Sequence, residues 1–175
     1  MDLQDAWNRK QEYQGVDMIA IINYGLGNLG SIANMLKAIG EQSVVTDKET
    51  EIRSADKLIL PGVGSFDAGM SRLEETGLKK VLIQQALEEG KPILGICLGM
   101  QLLGRMSEEG SQPGLGLIPF DNVRFRFEKD SNLKVPHMGW DIVEIKQKNP
   151  LTDNLKGRQR YYFVHSYYAK CDRRE

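Results

Sequence analysis

The ten residues PILGICLGMQ, Pro92 to Gln101, decide how the chain folds around a single cysteine. The first half is a short apolar run of strand length, and the second half continues as a helical pattern from Leu98. Glycine stands two residues before Cys97 and again two residues after it, which is the cysteine form of the G-x-S-x-G elbow. The stretch therefore predicts a buried strand, a sharp turn and a helix, with a nucleophile at the tip of the strand.

The chemistry expected at this elbow follows from its backbone. Gly95 and Gly99 are needed because side chains at a turn this sharp would collide, and the same turn pushes the sulfur of Cys97 into the open. The helix that follows directs its unpaired N–H groups at the sulfur and favours the thiolate, and the N–H of Leu98 is a natural oxyanion donor. A buried structural cysteine is the alternative, but the two glycines and the polar Gln101 favour a nucleophile.

A second glycine loop, Pro61-Gly62-Val63-Gly64, follows an apolar run over residues 57–60. The carboxyl ends of parallel strands meet at one edge of a sheet, so this loop is expected beside Cys97. A Gly-Val-Gly backbone can present an N–H to a developing oxyanion. An ordinary tight loop remains open as an interpretation of these four residues.

The alternation of strand and helix patterns extends on both sides of the elbow. Strands are predicted at 18–22, 43–46, 57–60 and 93–96. Helices are predicted at 31–39 and 98–105, and two more within 66–89. The first helix has Ser31 as its cap and Gly40 as its stop. This α/β order predicts a mostly parallel sheet covered by helices on both faces. After Pro119 the pattern becomes extended, at Asn122 to Phe127, Ile142 to Lys146 and Tyr161 to Tyr168, which indicates added, antiparallel strands.

Composition limits the classes of partner. The 175 residues are 41% apolar, enough for one domain over 18–175, with 1–17 as a polar N-terminal appendage. The 23 basic and 24 acidic residues form no basic run and no acidic tail, so we expect neither a nucleic-acid partner nor a membrane partner. We expect instead that the ligand is small and either neutral or zwitterionic. Two cysteines and the lack of an apolar run of about 20 residues fit a cytoplasmic protein.

A dinucleotide site is an alternative suggested by the turn from Gly25 to Gly30. It satisfies G-x-G-x-x-G between a strand and a helix, and Asp47 and Glu49 lie where an acid could bind a ribose. Any tight turn between a strand and a helix needs glycine, however, so a match of six residues is a weak signal.

Five motifs in order, NYGLGN, LPGVGSF, GICLGMQLL, VPHMGW and YFVHSYY, give the chain a specific resemblance. From Met18 onward it resembles the class I glutamine amidotransferases, and within them the glutaminase subunits of imidazole glycerol phosphate synthase. The resemblance implies a flavodoxin-like fold, attack of the cysteine on the glutamine amide, and transfer of ammonia to a (β/α)8 barrel synthase subunit in a heterodimer that serves histidine biosynthesis. It implies no cofactor and no metal, and it assigns no dinucleotide to the glycine turn.

The same resemblance assigns roles to individual positions. It makes Cys97 the nucleophile and implies three groups of contacts around it. These are an oxyanion site at Gly62, Val63 and Leu98, glutamine contacts at Gly64, Gln101, Glu109, Ser166 and Tyr167, and contacts to the barrel partner at Asn28, His137 and Trp140.

One element of the family pattern is not found in the sequence. The family's base is a histidine, oriented by a glutamate two residues later, on a strand that would follow Glu175. His137 and His165, the two histidines present, match neither position. The resemblance therefore implies a fold without its last strand and helix and poor glutamine hydrolysis. A fragment, a catalytically inactive regulatory subunit, and a paralogue that serves surface-polysaccharide sugars all stay open.

Overall fold

Four parallel strands form the main sheet of the computed structural model, which describes residues 17–128, 132–146, 149–155 and 157–172. These strands are β1 (Met18–Ile22), β2 (Gln42–Thr46), β3 (Lys57–Gly62) and β4 (Ile93–Cys97). Their order in the sheet is β2-β1-β3-β4. The helices are α1 (Leu29–Ala38), α2 (Glu49–Ser54), α3 (Phe66–Glu75), α4 (Leu78–Leu87) and α5 (Leu98–Leu102). The predicted parallel sheet is confirmed.

The two faces of this sheet bury separate apolar clusters because successive side chains of a strand point to opposite sides. Ile19 and Ile21 of β1 pack with Leu36 of α1 on one face. The larger cluster lies on the other face, where Ala20 and Ile22 of β1 meet the side chains of α2 to α5. Helices therefore cover both faces, as predicted.

Two smaller sheets follow the main sheet along the chain. The first contains β5 (Met106–Ser107), β6 (Phe120–Arg124) and β9 (Tyr167–Cys171), with β6 antiparallel to β9. The second is an antiparallel pair of β7 (His137–Val143) and β8 (Gln159–His165), which we call the hairpin sheet. The added antiparallel strands are thus confirmed.

Some predicted boundaries are wrong. The cap of α1 is Asn28, whose Oδ1 accepts the N–H of Ser31 at 3.2 Å, so Ser31 is inside the helix rather than its cap. The stop at Gly40 is confirmed, because this residue has a φ of +85° just after the last turn. The elbow helix ends at Leu102 instead of 105, and α2 was not predicted.

The extended segments in the last third also differ from the prediction. The segment predicted as one strand from Tyr161 to Tyr168 is interrupted at Ser166, and its two parts belong to different sheets. The strand predicted at Ile142 to Lys146 lies mainly upstream, from His137. Periodicity alone does not show where a run of aromatic and β-branched residues changes its pairing partner.

The predicted appendage lies almost wholly outside the described residues, which begin at Asp17. Among the described residues, no helix combines the length and the apolar character that crossing a membrane requires.

Candidate active site

Cys97 adopts the backbone conformation that the elbow requires. Its φ of 55° and ψ of −117° place it in a region that favours glycine, and within the described ranges it is the one non-glycine residue with a positive φ. It ends β4 and directly precedes α5, and its side chain is exposed. The predicted strand, sharp turn and helix with an accessible sulfur are therefore present. The prediction that this strand is buried is wrong, because β4 is an edge strand of the main sheet and contains no buried residue.

Glycines around the turn are required by close backbone contacts. A Cβ at Gly99 would lie 1.8 Å from the carbonyl oxygen of Leu60, and one at Gly95 would lie 2.4 Å from the Cα of Met100. Both distances are far below van der Waals contact. The prediction that these two glycines are needed at the elbow is confirmed.

The second glycine loop lies beside the cysteine. Gly62, the last residue of β3, pairs directly with Cys97 in the sheet. A Cβ on Gly62 would be 2.9 Å from the N of Gly99, so the loop backbone contacts the first turn of α5. Val63 is 54% exposed and Gly64 has a φ of +109°, which turns the chain away from the sheet. Gly62 and Leu98 therefore lie next to Cys97, one as its partner in the sheet and one as its neighbour in the chain. The assignment of Gly62, Val63 and Leu98 to an oxyanion site stays a prediction.

Tyr24 is a residue of this region that the sequence analysis did not assign. It is fully buried, and its hydroxyl donates to the carbonyl oxygen of Pro61 at 2.7 Å. Burial raises the pKa of Tyr24, and the nearby charge of Cys97 adds to the rise, so the hydroxyl stays protonated and keeps donating. Its position between an apolar strand and a glycine turn was the available signal. Tyr24 fixes the loop that begins at Pro61 against the elbow.

The glycine turn before α1 packs against the same loop. A Cβ on Gly27 would lie 3.1 Å from the Cβ of Pro61. At Gly30, by contrast, a Cβ would meet nothing within 4 Å. A dinucleotide fingerprint uses its third glycine for close helix packing. The structure gives Gly30 no such function, which removes the support for the dinucleotide alternative.

Glu109 is held at the start of α3. Its Oε2 accepts the N–H of Phe66 at 2.8 Å, in the first turn of that helix. The neighbouring Asp67 accepts the N–H groups of Ser111 and Gln112, each at 3.0 Å. These hydrogen bonds, the one from Ser111 first, lower the pKa of Asp67. The segment that carries Glu109 is therefore fastened to α3 by Asp67, which sequence reasoning missed.

Gln101 is connected to the first small sheet. The side-chain amide of Asn122, in β6, donates to the carbonyl oxygens of Gln101 and Met106, both at 2.9 Å. Asn122 is completely buried. It thereby attaches this sheet to the C-terminal end of α5.

Ser166 and Tyr167, assigned to the glutamine pocket, form the corner between the two small sheets. The carbonyl oxygen of Ser166 accepts the N–H of Phe125 at 3.0 Å, and Tyr167 pairs with Arg124 as the first residue of β9. They lie on a different sheet from Cys97. Their assignment as substrate contacts stays a prediction.

Of the three positions assigned to the partner, one lies at the start of α1 and two lie on the hairpin sheet, and their assignment stays a prediction. Asn28 is exposed and caps α1. Trp140 is 65% exposed on the hairpin sheet, where it contacts Tyr162 edge to face with ring centroids 5.7 Å apart. His137 lies three residues earlier on the same strand and therefore points to the opposite face. Among the described residues, no group of three or more His, Cys, Asp or Glu side chains is arranged to hold a metal ion.

Comparison with known proteins places this geometry in a family. The family model for class I glutamine amidotransferases matches residues 20–173. The chain is 50% identical over 151 residues to imidazole glycerol phosphate synthase subunit HisH 2 of Pseudomonas aeruginosa, covering 86% of this chain and 74% of that protein. It is 52% identical over 155 residues to the protein of the same name from Methanococcus maripaludis, covering 89% of this chain and 76% of that protein.

Solved structures agree on the fold. A crystal structure of a glutamine amidotransferase superposes with a TM-score of 0.64 at 20% identity, covering 86% of this chain and 71% of that one. A glutamine amidotransferase from Thermotoga maritima gives a TM-score of 0.60 at 17% identity, covering 92% of this chain and 65% of that one. With an elbow cysteine, the adjoining glycine loop and a family model that spans almost the whole sequence, the chain belongs to the class I glutamine amidotransferase family.

Proposed function

We propose that the chain is the glutaminase subunit of an imidazole glycerol phosphate synthase and supplies ammonia for histidine biosynthesis in the cytoplasm. The observation that carries this proposal is Cys97, exposed at a positive φ and paired with Gly62. The relatives at about half identity, both named as HisH subunits of that synthase, support the choice among glutamine amidotransferases.

In the proposed reaction, the Cys97 thiolate attacks the side-chain amide carbon of glutamine. The amide oxygen becomes an oxyanion, which the backbone around Gly62, Val63 and Leu98 would stabilise. The carbon–nitrogen bond then breaks as the nitrogen takes up a proton and leaves as ammonia, and a thioester remains. Water hydrolyses the thioester to glutamate and frees the thiol, so the sum is glutamine and water to glutamate and ammonia.

The hairpin sheet offers the surface for a (β/α)8 partner. On one face, the register places Met138 opposite Val164 and Trp140 opposite Tyr162. These four side chains are 54% to 65% exposed. A contiguous apolar surface of this kind marks a protein interface, and tryptophan and tyrosine are the residues that most often dominate its energy.

The chemical part of the proposal is tested by labelling with a glutamine-analogue electrophile and locating the adduct by mass spectrometry. We expect an adduct on Cys97 in the unmodified chain and in Cys171→Ala, which keeps the elbow intact. Cys97→Ala should give none. Equal labelling of both cysteines, or protection of neither by excess glutamine, would contradict a glutamine site at the elbow.

The partner is tested by affinity measurements against a purified (β/α)8 synthase subunit. Trp140→Ala should weaken binding about tenfold or more, because truncating a hot-spot aromatic costs roughly 2 kcal/mol. Tyr161→Ala is the matched control, since Tyr161 is 45% exposed on the opposite face of the hairpin sheet. A similar loss for both variants would place the interface elsewhere.

A further inference from the structure

The two histidines of the chain contact each other. His137 of β7 and His165 of β8 are direct partners in the hairpin sheet, with Nδ1 of His137 3.3 Å from Nε2 of His165. The other nitrogen of His165 lies 2.7 Å from the carbonyl oxygen of Tyr167. The other nitrogen of His137 lies 3.5 Å from a carboxylate oxygen of Asp141. Four groups are therefore connected in a row.

The carbonyl of Tyr167 and the carboxylate of Asp141, at the two ends of this row, indicate which ring nitrogens act as donors. A carbonyl oxygen can only accept, so Nδ1 of His165 carries a proton and donates to Tyr167. In a neutral His165 the Nε2 is then an acceptor, and Nδ1 of His137 must donate to it. The carboxylate of Asp141 also only accepts. All three contacts are satisfied when His137 carries both ring protons and His165 carries one, on Nδ1.

The surroundings of the pair support an ordered arrangement. His137 stacks on Phe163 with ring centroids 4.8 Å apart, and the ring of Phe125 lies 5.2 Å from that of His165. An aromatic face next to a protonated imidazole is electrostatically favourable. On this face of β7 and β8 the carboxylate is Asp141, and Tyr161 lies opposite it in the register. On the side of His165, Tyr168 stacks on Phe125.

The row ends at the corner where the chain passes from one small sheet to the other. Ser166 separates β8 from β9, and its carbonyl is held by Phe125. The hydrogen bond from His165 holds the next carbonyl, that of Tyr167. Together the two contacts fix consecutive peptide groups of the corner to which the glutamine-binding positions are assigned.

We propose that Asp141, His137 and His165 form a relay that positions the Ser166–Tyr167 backbone, so that His165 is a positioning residue for glutamine binding. The identity of the ligand rests on the proposed function, whereas the proton arrangement of the relay does not. The relay sets affinity for glutamine and leaves the intrinsic reactivity of Cys97 unchanged.

Nitrogen NMR tests the relay directly. The chain, produced without a histidine tag, has four imidazole nitrogens, and long-range ¹H–¹⁵N spectra distinguish protonated from unprotonated ones. The first nitrogen of the four to be found unprotonated should be Nε2 of His165, which accepts from His137. In Asp141→Asn the new side-chain amide can donate to Nε2 of His137, so that nitrogen should be found unprotonated as well. A His165 protonated on Nε2 in the neutral form would overturn the proposal.

Labelling kinetics test the positioning role. With the glutamine-analogue electrophile, His165→Leu should raise the half-saturating concentration about tenfold, which corresponds to about 1.4 kcal/mol, with little change in the maximal rate. His165→Asn, whose side-chain amide reaches the place of the Nδ1–H, should restore most of the affinity. Val143→Ala, on the same face at the far end of β7, is the control.

The outcomes separate the two proposals. An unchanged half-saturating concentration in His165→Leu, or an equal loss in His165→Asn, would overturn the positioning role. If the unmodified chain is not labelled at Cys97 by the analogue, the proposed function fails, and the NMR result alone then decides the relay. Reaction of Cys97 with iodoacetamide should be the same in all variants, and a change there would show that His165 acts on the elbow itself.

Discussion

The main sheet and the hairpin sheet of this protein are built in opposite ways. In β1 and β3, the central strands of the main sheet, Ile21 and Leu60 have no exposed surface, and helices pack against both faces. Only the edge strand β4 of this sheet lacks a buried residue. Neither β7 nor β8 contains a single buried residue, and Trp140 at the centre of β7 is 65% exposed. The first sheet is stabilised by its own core, whereas the second keeps its apolar side chains at the surface. Stability and binding should therefore depend on different parts of the chain.

The largest effect is expected where the elbow touches the main sheet. Gly99→Ala places a Cβ against the carbonyl oxygen of Leu60, and neither backbone can move without separating α5 from β3. We expect a loss of about 4 kcal/mol or more in the free energy of unfolding, enough to abolish folding of a marginally stable domain. Urea denaturation followed by circular dichroism measures the free energy of unfolding of the variant and of the unmodified chain.

The matched control is Gly30→Ala, because a Cβ at Gly30 would meet nothing within 4 Å and the residue lies in α1. Alanine should leave stability unchanged or raise it by up to about 1 kcal/mol. Equal losses in the two variants would mean that the close contact at the elbow is not what makes glycine necessary.

Truncations in the two sheets compare them directly. Leu60→Ala removes a fully buried side chain and should cost about 3 kcal/mol. Trp140→Ala removes a larger side chain but should cost less than about 1 kcal/mol, because Trp140 is 65% exposed and lies beside Tyr162 and Arg160 at the surface. Unfolding midpoints in urea give both values, and a larger loss for the tryptophan would contradict the assignment of the core.

The backbone of Cys97 should carry a conformational cost. Cys97 has a φ of 55°, and glycine relieves this strain, so Cys97→Gly should raise the free energy of unfolding by about 1 kcal/mol while it removes the labelled thiol. Cys97→Ala retains the strained conformation and should show no such gain. A stability of Cys97→Gly below that of the unmodified chain would speak against strain at the elbow.

The smallest effect concerns pH and the segment that carries Glu109. Hydrogen bonds from Ser111 and Gln112 hold the pKa of Asp67 below its ordinary value. The unfolded chain therefore binds the proton more readily, so the stabilisation is complete above about pH 4 and is lost as pH falls through the lowered pKa. The stability difference between the unmodified chain and Asp67→Asn should shrink between about pH 5 and pH 2. A difference that is constant over this range would exclude a role of the Asp67 charge.

Much of the main sheet could be predicted because its signals are local. The strands β1, β3 and β4 are short apolar runs followed by glycine turns, and the elbow around Cys97 depends on residues within five positions of it. The hairpin sheet was predicted less well, since its strands are rich in aromatic residues on both faces. With β7 predicted from Ile142 instead of His137, the opposite orientations of His137 and Trp140 were not visible.

The sequence by itself determined the four strands of the main sheet, the helices around it except α2, the elbow and its glycines, and the family. These depend on residue type and on spacing over a few positions. Only the tertiary structure decided that Tyr24 holds the carbonyl of Pro61, that Asp67 fastens the segment at Ser111, and that His137 meets His165. Each of these contacts joins residues 28 to 44 positions apart, and a pattern read along the chain contains no information on which distant polar groups will become neighbours.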